Sequence, residues 1–266
     1  MKTIDRLAIF ILAATGLLLA WAPAGQAAEK VRDLPIIDRA IDFHGGDLYL
    51  STRTSLTVGS RSGAFDVVST MDGDNFEHVV SGKSSDGAVR KVRQTNSAIE
   101  EWSDGEPVTL DEEGRRRAQA FVEARVYFPF LPFRLNDPSV WKEDQGIEDW
   151  DGKKLHRVKV TFDAGSSNSA HDQYVFWFDP ESARLEQYAY SFGTGRERGG
   201  LRLRKPFDYR RFGGILFFDV DNLGVNGSGK ELTVDLLTPG YVKEKMEHVS
   251  FVNLSNIKVR ATTAER

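Results

Sequence analysis

The chain has 266 residues, a formal net charge of −4 and 40% hydrophobic residues. A mildly acidic protein lacks the net basic surface that binds phosphate backbones, which excludes nucleic acid as the main partner. The absence of cysteine excludes disulfides, thiolate catalysis and cysteine-ligated metals, so the stability of the fold must come from a hydrophobic core.

The first residues have the pattern of a secretory signal peptide. Lys2 and Arg6 precede an almost wholly apolar run at 7–21, and small residues dominate 22–28. A charged start, a short apolar centre and small residues at the −3 and −1 positions are typical of a cleaved leader. The apolar run is shorter than the roughly 20 residues of a spanning helix. We therefore predict a signal peptide over 1–27, a single domain over 28–266 and a periplasmic location, with an uncleaved anchor as the alternative.

The first half of the mature chain reads as short strands with two helices. Apolar spacing over 36–41 predicts a helix that ends at Gly45-Gly46. Asp111 is placed to cap a second helix over 112–127. Between them, alternating apolar residues and turn signals predict strands at 52–58, 65–71, 76–80 and 89–95, then a hairpin of 99–102 and 107–110.

A proline-rich aromatic segment, VYFPFLPFRLNDPSVW at 126–141, follows the second helix. Prolines at this density forbid both a helix interior and a central strand. The segment therefore predicts an apolar loop, which must be covered by protein or by a ligand.

The second half centres on a hairpin, with strands at 174–178 and 185–192 either side of Asp179-Pro180. Period-two alternation places Tyr174, Phe176 and Phe178 on one face and Val175 and Trp177 on the other. Both faces are apolar, so each needs a cover.

Further strands complete the predicted fold. They are expected at 155–162, in a hairpin over 207–218 around Gly213-Gly214, and at 232–237 and 249–259. Local connections of this kind predict a mainly β (α+β) protein. We expect a single curved antiparallel sheet, or incomplete barrel, of about 10–12 strands with covering helices.

Four of these pieces resemble the outer-membrane lipoprotein carrier (LolA/LolB-like) superfamily, and within it a secreted branch. They are the helix ending at His44-Gly45-Gly46, KKLHRVKVTF after Asp151-Gly152, YVFWFDPESARLEQYAY and FDYRRFGGILFF. The resemblance implies an open, curved barrel whose concave interior binds acyl chains. The added proline-rich segment and a basic loop at 193–205 distinguish this chain from true lipoprotein chaperones. The resemblance therefore implies a hydrophobic cavity rather than lipoprotein transfer.

No motif in the sequence supports catalysis, a metal site or a cofactor. The five histidines are far apart, which gives no ligand pair at metal-binding spacing. The Asp-rich turns at 72–75 and 219–222 do not continue into a calcium loop. A catalytic triad is recognised by geometry rather than by order, so a hydrolase-like enzyme stays open as a third interpretation without support.

Basic residues cluster late in the chain. We predict that three of them, Arg202, Arg204 and Arg210, form a basic face of the protein. The alternation Leu201-Arg202-Leu203-Arg204 places arginine on one face of a strand and leucine on the other. One interpretation is a solvated edge strand, since positive charge blocks edge-to-edge pairing. The other is contact with anionic head groups at a membrane surface or with an acidic envelope protein.

Aromatic residues make up 11% of the chain, which fits a hydrophobic cavity and a filled core equally well. The resemblance to the carrier superfamily favours the cavity. The predicted lining residues are Phe121, Phe128, Phe130, Phe133, Phe176 and Phe178. The second helix and the proline-rich segment would form the lid. The primary hypothesis is a carrier-like protein that binds a lipid or other hydrophobic small molecule, and the second is an envelope protein-binding module with a filled core and an exposed arginine face.

Overall fold

The structure, a computed structural model, describes residues 29–83, 87–163, 172–193, 199–227 and 231–262. The predicted signal peptide lies outside these residues, as do Arg196 and Arg198 of the basic loop.

The described residues form one antiparallel sheet of 14 strands that is not closed into a barrel. Its strands are β1 (Lys30–Val31), β2 (Thr52–Ser60), β3 (Gly63–Asp72), β4 (Asn75–Lys83), β5 (Val89–Thr95), β6 (Ile99–Ser103), β7 (Glu106–Val108), β8 (Val140–Trp150), β9 (Lys153–Phe162), β10 (Tyr174–Phe178), β11 (Leu185–Phe192), β12 (Gly199–Phe212), β13 (Ile215–Gly227) and β14 (Glu247–Ala261). The order across the sheet is β1-β8-β9-β10-β11-β12-β13-β14-β2-β3-β4-β5-β6-β7. Both edge strands are very short, which limits edge-to-edge association.

Three α-helices accompany the sheet in the part of the chain that is described. They are α1 (Pro35–His44), α2 (Glu112–Val126) and α3 (Pro239–Lys245). The first two lie where the sequence predicts helices. α1 ends at Gly45, whose φ of 143° is one that a side chain would disfavour. The mainly β class with covering helices is therefore confirmed, with two more strands than the upper end of the prediction.

The structure differs from the prediction in several segments. The helix α3 was not predicted, and β12 begins at Gly199, within the predicted basic loop at 193–205. β8 was not predicted, because its polar sequence lacks a clean alternation and a bulge interrupts it between Asp144 and Ile147. The predicted strand at 232–237 is wrong. Val234–Leu236 forms a 3₁₀ turn, and Val234 and Leu237, three residues apart, both bury their side chains, which is the spacing of a helical turn rather than of a strand.

Both faces of the central strand β10 are buried, as its sequence predicts. Phe176 and Phe178 belong to a cluster that includes Leu131 and residues of α1. Trp177 lies in a second cluster with Val234 and other residues of the 234–246 segment. We call the face covered by α1, α2 and residues 127–136 the inner face, and the opposite one the outer face.

The inner face has two apolar clusters side by side. One is built on β8 to β11 with α1, and the other on β2 to β5 with α2. α2 contributes small and medium side chains at four-residue spacing, Ala118, Val122 and Val126, to the second cluster. Such a stripe lets the helix lie close to the sheet while burying little area per residue.

Replacing Asp111 with alanine is expected to lower the free energy of unfolding by about 1 kcal/mol. Its side chain accepts a hydrogen bond from the Gly114 backbone N–H at 2.7 Å, at the start of α2, and alanine would leave that donor without its partner. Urea denaturation measures the loss. Asp111→Ser keeps a capping oxygen and should remain near wild type, whereas an equal loss in both variants would contradict capping as the cause.

Candidate functional site

A cavity of about 190 Å³ opens on the inner face where its two apolar clusters meet. The end of α2 and the Phe128-Pro129 turn form one wall, and strands of both clusters form the other. Its apolar lining includes Val58, Phe65, Phe128, Tyr188, Phe218 and Leu254. Two charged side chains, Arg125 and Arg204, lie in the same lining, with Ser60 and Ser62.

The predicted lining aromatics are distributed between this cavity and the packed core. Phe128 lines the cavity. Phe121 lies beside it, in an edge-to-face contact with Phe65 at 5.8 Å between ring centroids. Four others are buried in the apolar clusters and do not line this cavity: Phe130, Phe133, Phe176 and Phe178.

An array of stacked rings forms the wall around Phe128. Its ring stacks on Tyr188 and on Tyr190, with centroids 5.8 Å and 5.4 Å away. Tyr190 stacks in turn on Tyr174 at 5.4 Å. Rings in mutual contact hold each other in place, so this wall presents a fixed apolar surface to the cavity.

Arg204 reaches the cavity from the middle of the sheet. β12 pairs with β11 on one side and β13 on the other, so the edge-strand interpretation of the Leu-Arg alternation is wrong. The alternation itself is present: Leu201 and Leu203 are buried in the outer cluster, whereas the Arg204 guanidinium lies 4.1 Å from the Phe128 ring centroid. Arg204 donates a hydrogen bond to the Tyr190 hydroxyl at 3.0 Å.

Arg125 reaches the cavity from α2. Its guanidinium lies 4.0 Å from the centroid of Phe65 and 3.9 Å from that of Phe121, and it donates to the Phe121 carbonyl at 2.9 Å. Burial, and then the positive charge of Arg90, lower the pKa of Arg125 to about 10. The side chain therefore stays protonated at neutral pH. Arg125 was not among the predicted site residues, although its spacing places it on the same face of the helix as Ala118, Phe121 and Val122.

The predicted basic face is not one surface. Arg202 donates to the Val225 carbonyl at 3.2 Å and to Asn226 Oδ1 at 2.8 Å. Arg210 forms ion pairs with Asp208 at 2.6 Å and Asp219 at 2.5 Å. Since Arg210 is neutralised and Arg204 is stacked against Phe128, the three arginines do not present the shared exposed face that the second hypothesis requires.

The described histidines divide into two buried and two paired side chains. His44 and His78 are buried. His156 lies 2.7 Å from Asp144, and His248 lies 2.9 Å from Asp221. Among the described residues, no cluster of three potential metal ligands occurs. His171 is outside them.

Within the same described ranges, every helix is too short or too polar to cross a bilayer.

Comparison with solved structures finds proteins of similar fold. A LolA superfamily protein from Nitrosomonas europaea is 9% identical, with a TM-score of 0.49, over 85% of this chain and 92% of its own. A putative outer membrane lipoprotein-sorting protein domain from Vibrio parahaemolyticus is 11% identical, with a TM-score of 0.47, over 87% and 93%. A DUF1329 family protein from Desulfovibrio piger is 13% identical, with a TM-score of 0.49, over 87% and 94%. The similarity to each of these proteins is one of fold alone.

Comparison with curated proteins finds no significant match. A family model described as "Family of unknown function (DUF6503)" matches residues 25–253, and this chain is a member of that family.

Proposed function

We propose that the protein is a secreted, periplasmic carrier that binds a lipid or another hydrophobic ligand on its inner face, with the apolar part of the ligand in the cavity. The observation that carries the proposal is the opening between the two inner clusters, lined by Phe128 and other apolar side chains. Apolar walls with a few polar groups are typical of ligand sites. Each methylene placed there contributes about 0.8 kcal/mol.

The volume of the cavity limits the size of the ligand group that it can hold. Its 190 Å³ is close to the roughly 150 Å³ of an apolar cavity that holds a benzene ring, and below the about 300 Å³ where drug-sized sites begin. The cavity as it stands accepts a ring or the end of a chain. A longer chain would have to move α2, and the small side chains under that helix, such as Ala118 and Val122, make this the weakest part of the cover.

Native mass spectrometry of the mature protein, purified from its own host and then extracted with solvent, tests the proposal. We expect a bound apolar molecule that the extraction releases. A clean unliganded mass, together with no uptake of the neutral probe Nile red, would show that the inner face is packed shut and would overturn the carrier proposal.

Replacing Ala124 with tryptophan is expected to reduce Nile red uptake at least several-fold. Ala124 is exposed on α2 and lines the mouth of the cavity, so an indole there would occupy the space that a ligand enters. Fluorescence titration measures the change. Ala120→Trp, one turn earlier on the same helix and outside the lining, is the matched control. Equal uptake by the two variants would mean that the probe binds elsewhere.

A further inference from the structure

Two positive charges face this otherwise apolar cavity from different elements. Arg125 comes from α2 and Arg204 from β12, and both belong to the lining. A charge removed from water is costly unless it is paired and hydrogen-bonded. The partners of the two guanidinium groups are therefore informative about what the cavity binds.

Few of the hydrogen-bond donors of these two side chains have an acceptor among the described residues. A guanidinium group has five N–H donors. Arg125 donates to the Phe121 carbonyl and Arg204 to the Tyr190 hydroxyl. In both side chains the Nε atom is enclosed and has no acceptor among the described residues.

Among the described residues, neither arginine has a carboxylate within ion-pair distance. The ion pairs formed within the described ranges include neither Arg125 nor Arg204. Arg134, which is likewise half-buried on the inner side, pairs with Asp137 at 2.7 Å. In the part of the chain that the structure describes, the two cavity arginines thus have no acidic partner of the kind that Arg134 has.

Aromatic stacking explains how the arginines are held but not what they bind. Phe128 lies under Arg204, and Phe65 and Phe121 flank Arg125. A ring face attracts the cation but does not neutralise its charge. A carboxylate or a phosphate does both, because it binds a guanidinium group through two parallel charge-assisted hydrogen bonds.

We infer that the ligand is an anionic amphiphile, whose carboxylate or phosphate group is bound by Arg125 and Arg204 while the adjoining part of its apolar chain occupies the cavity. This inference rests on the proposed carrier function and specifies its ligand class. Ser60 and Ser62, whose hydroxyl oxygens lie 2.9 Å apart, line the same cavity and add polar groups on the side where such a head group would bind.

Equilibrium binding of three ligands with the same C16 chain tests the inference: palmitate, hexadecyl phosphate and the neutral hexadecanol, each below its aggregation concentration. We expect wild-type protein to bind at least one of the two anions about tenfold or more tightly than the alcohol, since hydrogen bonds to charged groups are the strong ones. Whichever anion binds more tightly identifies the head group. Equal affinity for the alcohol and both anions would overturn the inference about the ligand class but not the carrier function. If none of the three ligands bound and Nile red was not taken up, both the ligand inference and the carrier proposal would be overturned.

Two variants locate the head group, and each has a matched control. Arg204→Gln and Arg125→Gln should each lose about tenfold in affinity for the anion and little for hexadecanol. Arg202→Gln, on the same strand but outside the lining, and Arg117→Gln, on the same helix and paired with Glu113, should bind as wild type does. An anion preference that persists in both cavity variants would overturn the assignment. If a glutamine variant fails to fold, the wild-type comparison of the two anions with hexadecanol still decides the ligand class. Arg204→Lys, which keeps the positive charge, then takes the place of Arg204→Gln.

Discussion

Replacing Phe176 with alanine is expected to lower the free energy of unfolding by about 3–5 kcal/mol. The side chain is fully buried on β10 and stacks on Tyr174, Phe178 and Tyr188. Alanine would remove these contacts and leave a void that rigid neighbouring rings cannot fill. Urea denaturation of the purified protein measures the change.

Phe251→Ala is the control for this substitution. Phe251 is also a strand phenylalanine, but 52% of its surface is exposed, so its removal should cost less than about 1 kcal/mol. If Phe176→Ala cost no more than Phe251→Ala, the ring would lie against empty space rather than in a packed core. That result would restore Phe176 as a candidate ligand-lining residue.

Lowering the pH from 7 to 5 is expected to reduce the free energy of unfolding by about 4 kcal/mol, about 2 from each of two buried histidines. Burial, and then the charge of Arg211, lower the pKa of His44 from 6.5 to about 3. Burial, and then the charge of Arg134, lower the pKa of His78 to about 4. Below pH 6.5 the unfolded chain takes up protons at both imidazoles while the folded protein does not, so stability falls as the pH falls through this window.

Urea denaturation at pH 5, 6 and 7 measures this dependence. His78→Met removes one of the two titrating groups and should reduce the loss between pH 7 and pH 5 by about half. A wild-type stability that is constant over this range would mean that both imidazoles take up protons as readily in the folded protein as in the unfolded chain. If His78→Met kept the full dependence, another group would be responsible for it.

The cavity arginines and the buried histidines have different consequences for the same inner face. The histidines have buried surroundings that favour their neutral form, so they add no charge to the packed clusters at neutral pH. The arginines remain charged in an apolar lining. A packed core needs no such charge. The arginines Arg125 and Arg204 therefore say more about the chemical class of the ligand than the volume of the cavity does.

The local elements of this fold could be predicted because their signals lie within a few residues. The aromatic alternation of 174–178 predicts a strand buried on both faces, and Asp111 predicts the start of α2. β8 and α3 were missed for a related reason. The polar strand β8 has no alternation of its own, and the Thr238-Pro239 start of α3, a recognisable capping signal, stands next to an apolar run that resembles a strand.

The sequence predicted the general character of the site but, apart from Phe128, not its apolar lining. It predicted an aromatic-rich face of the sheet covered by a helix and a proline-rich segment. Composition and alternation determined that such a face exists and that arginine and leucine occupy opposite sides of residues 201–204. Which aromatic rings fill the core and which line an opening depends on how the two inner clusters meet, and the place of Arg204 depends on β12 pairing with both β11 and β13. These are contacts between distant parts of the chain, and strand order decides them, because alternation defines the two faces of a strand but not the neighbours that each face meets.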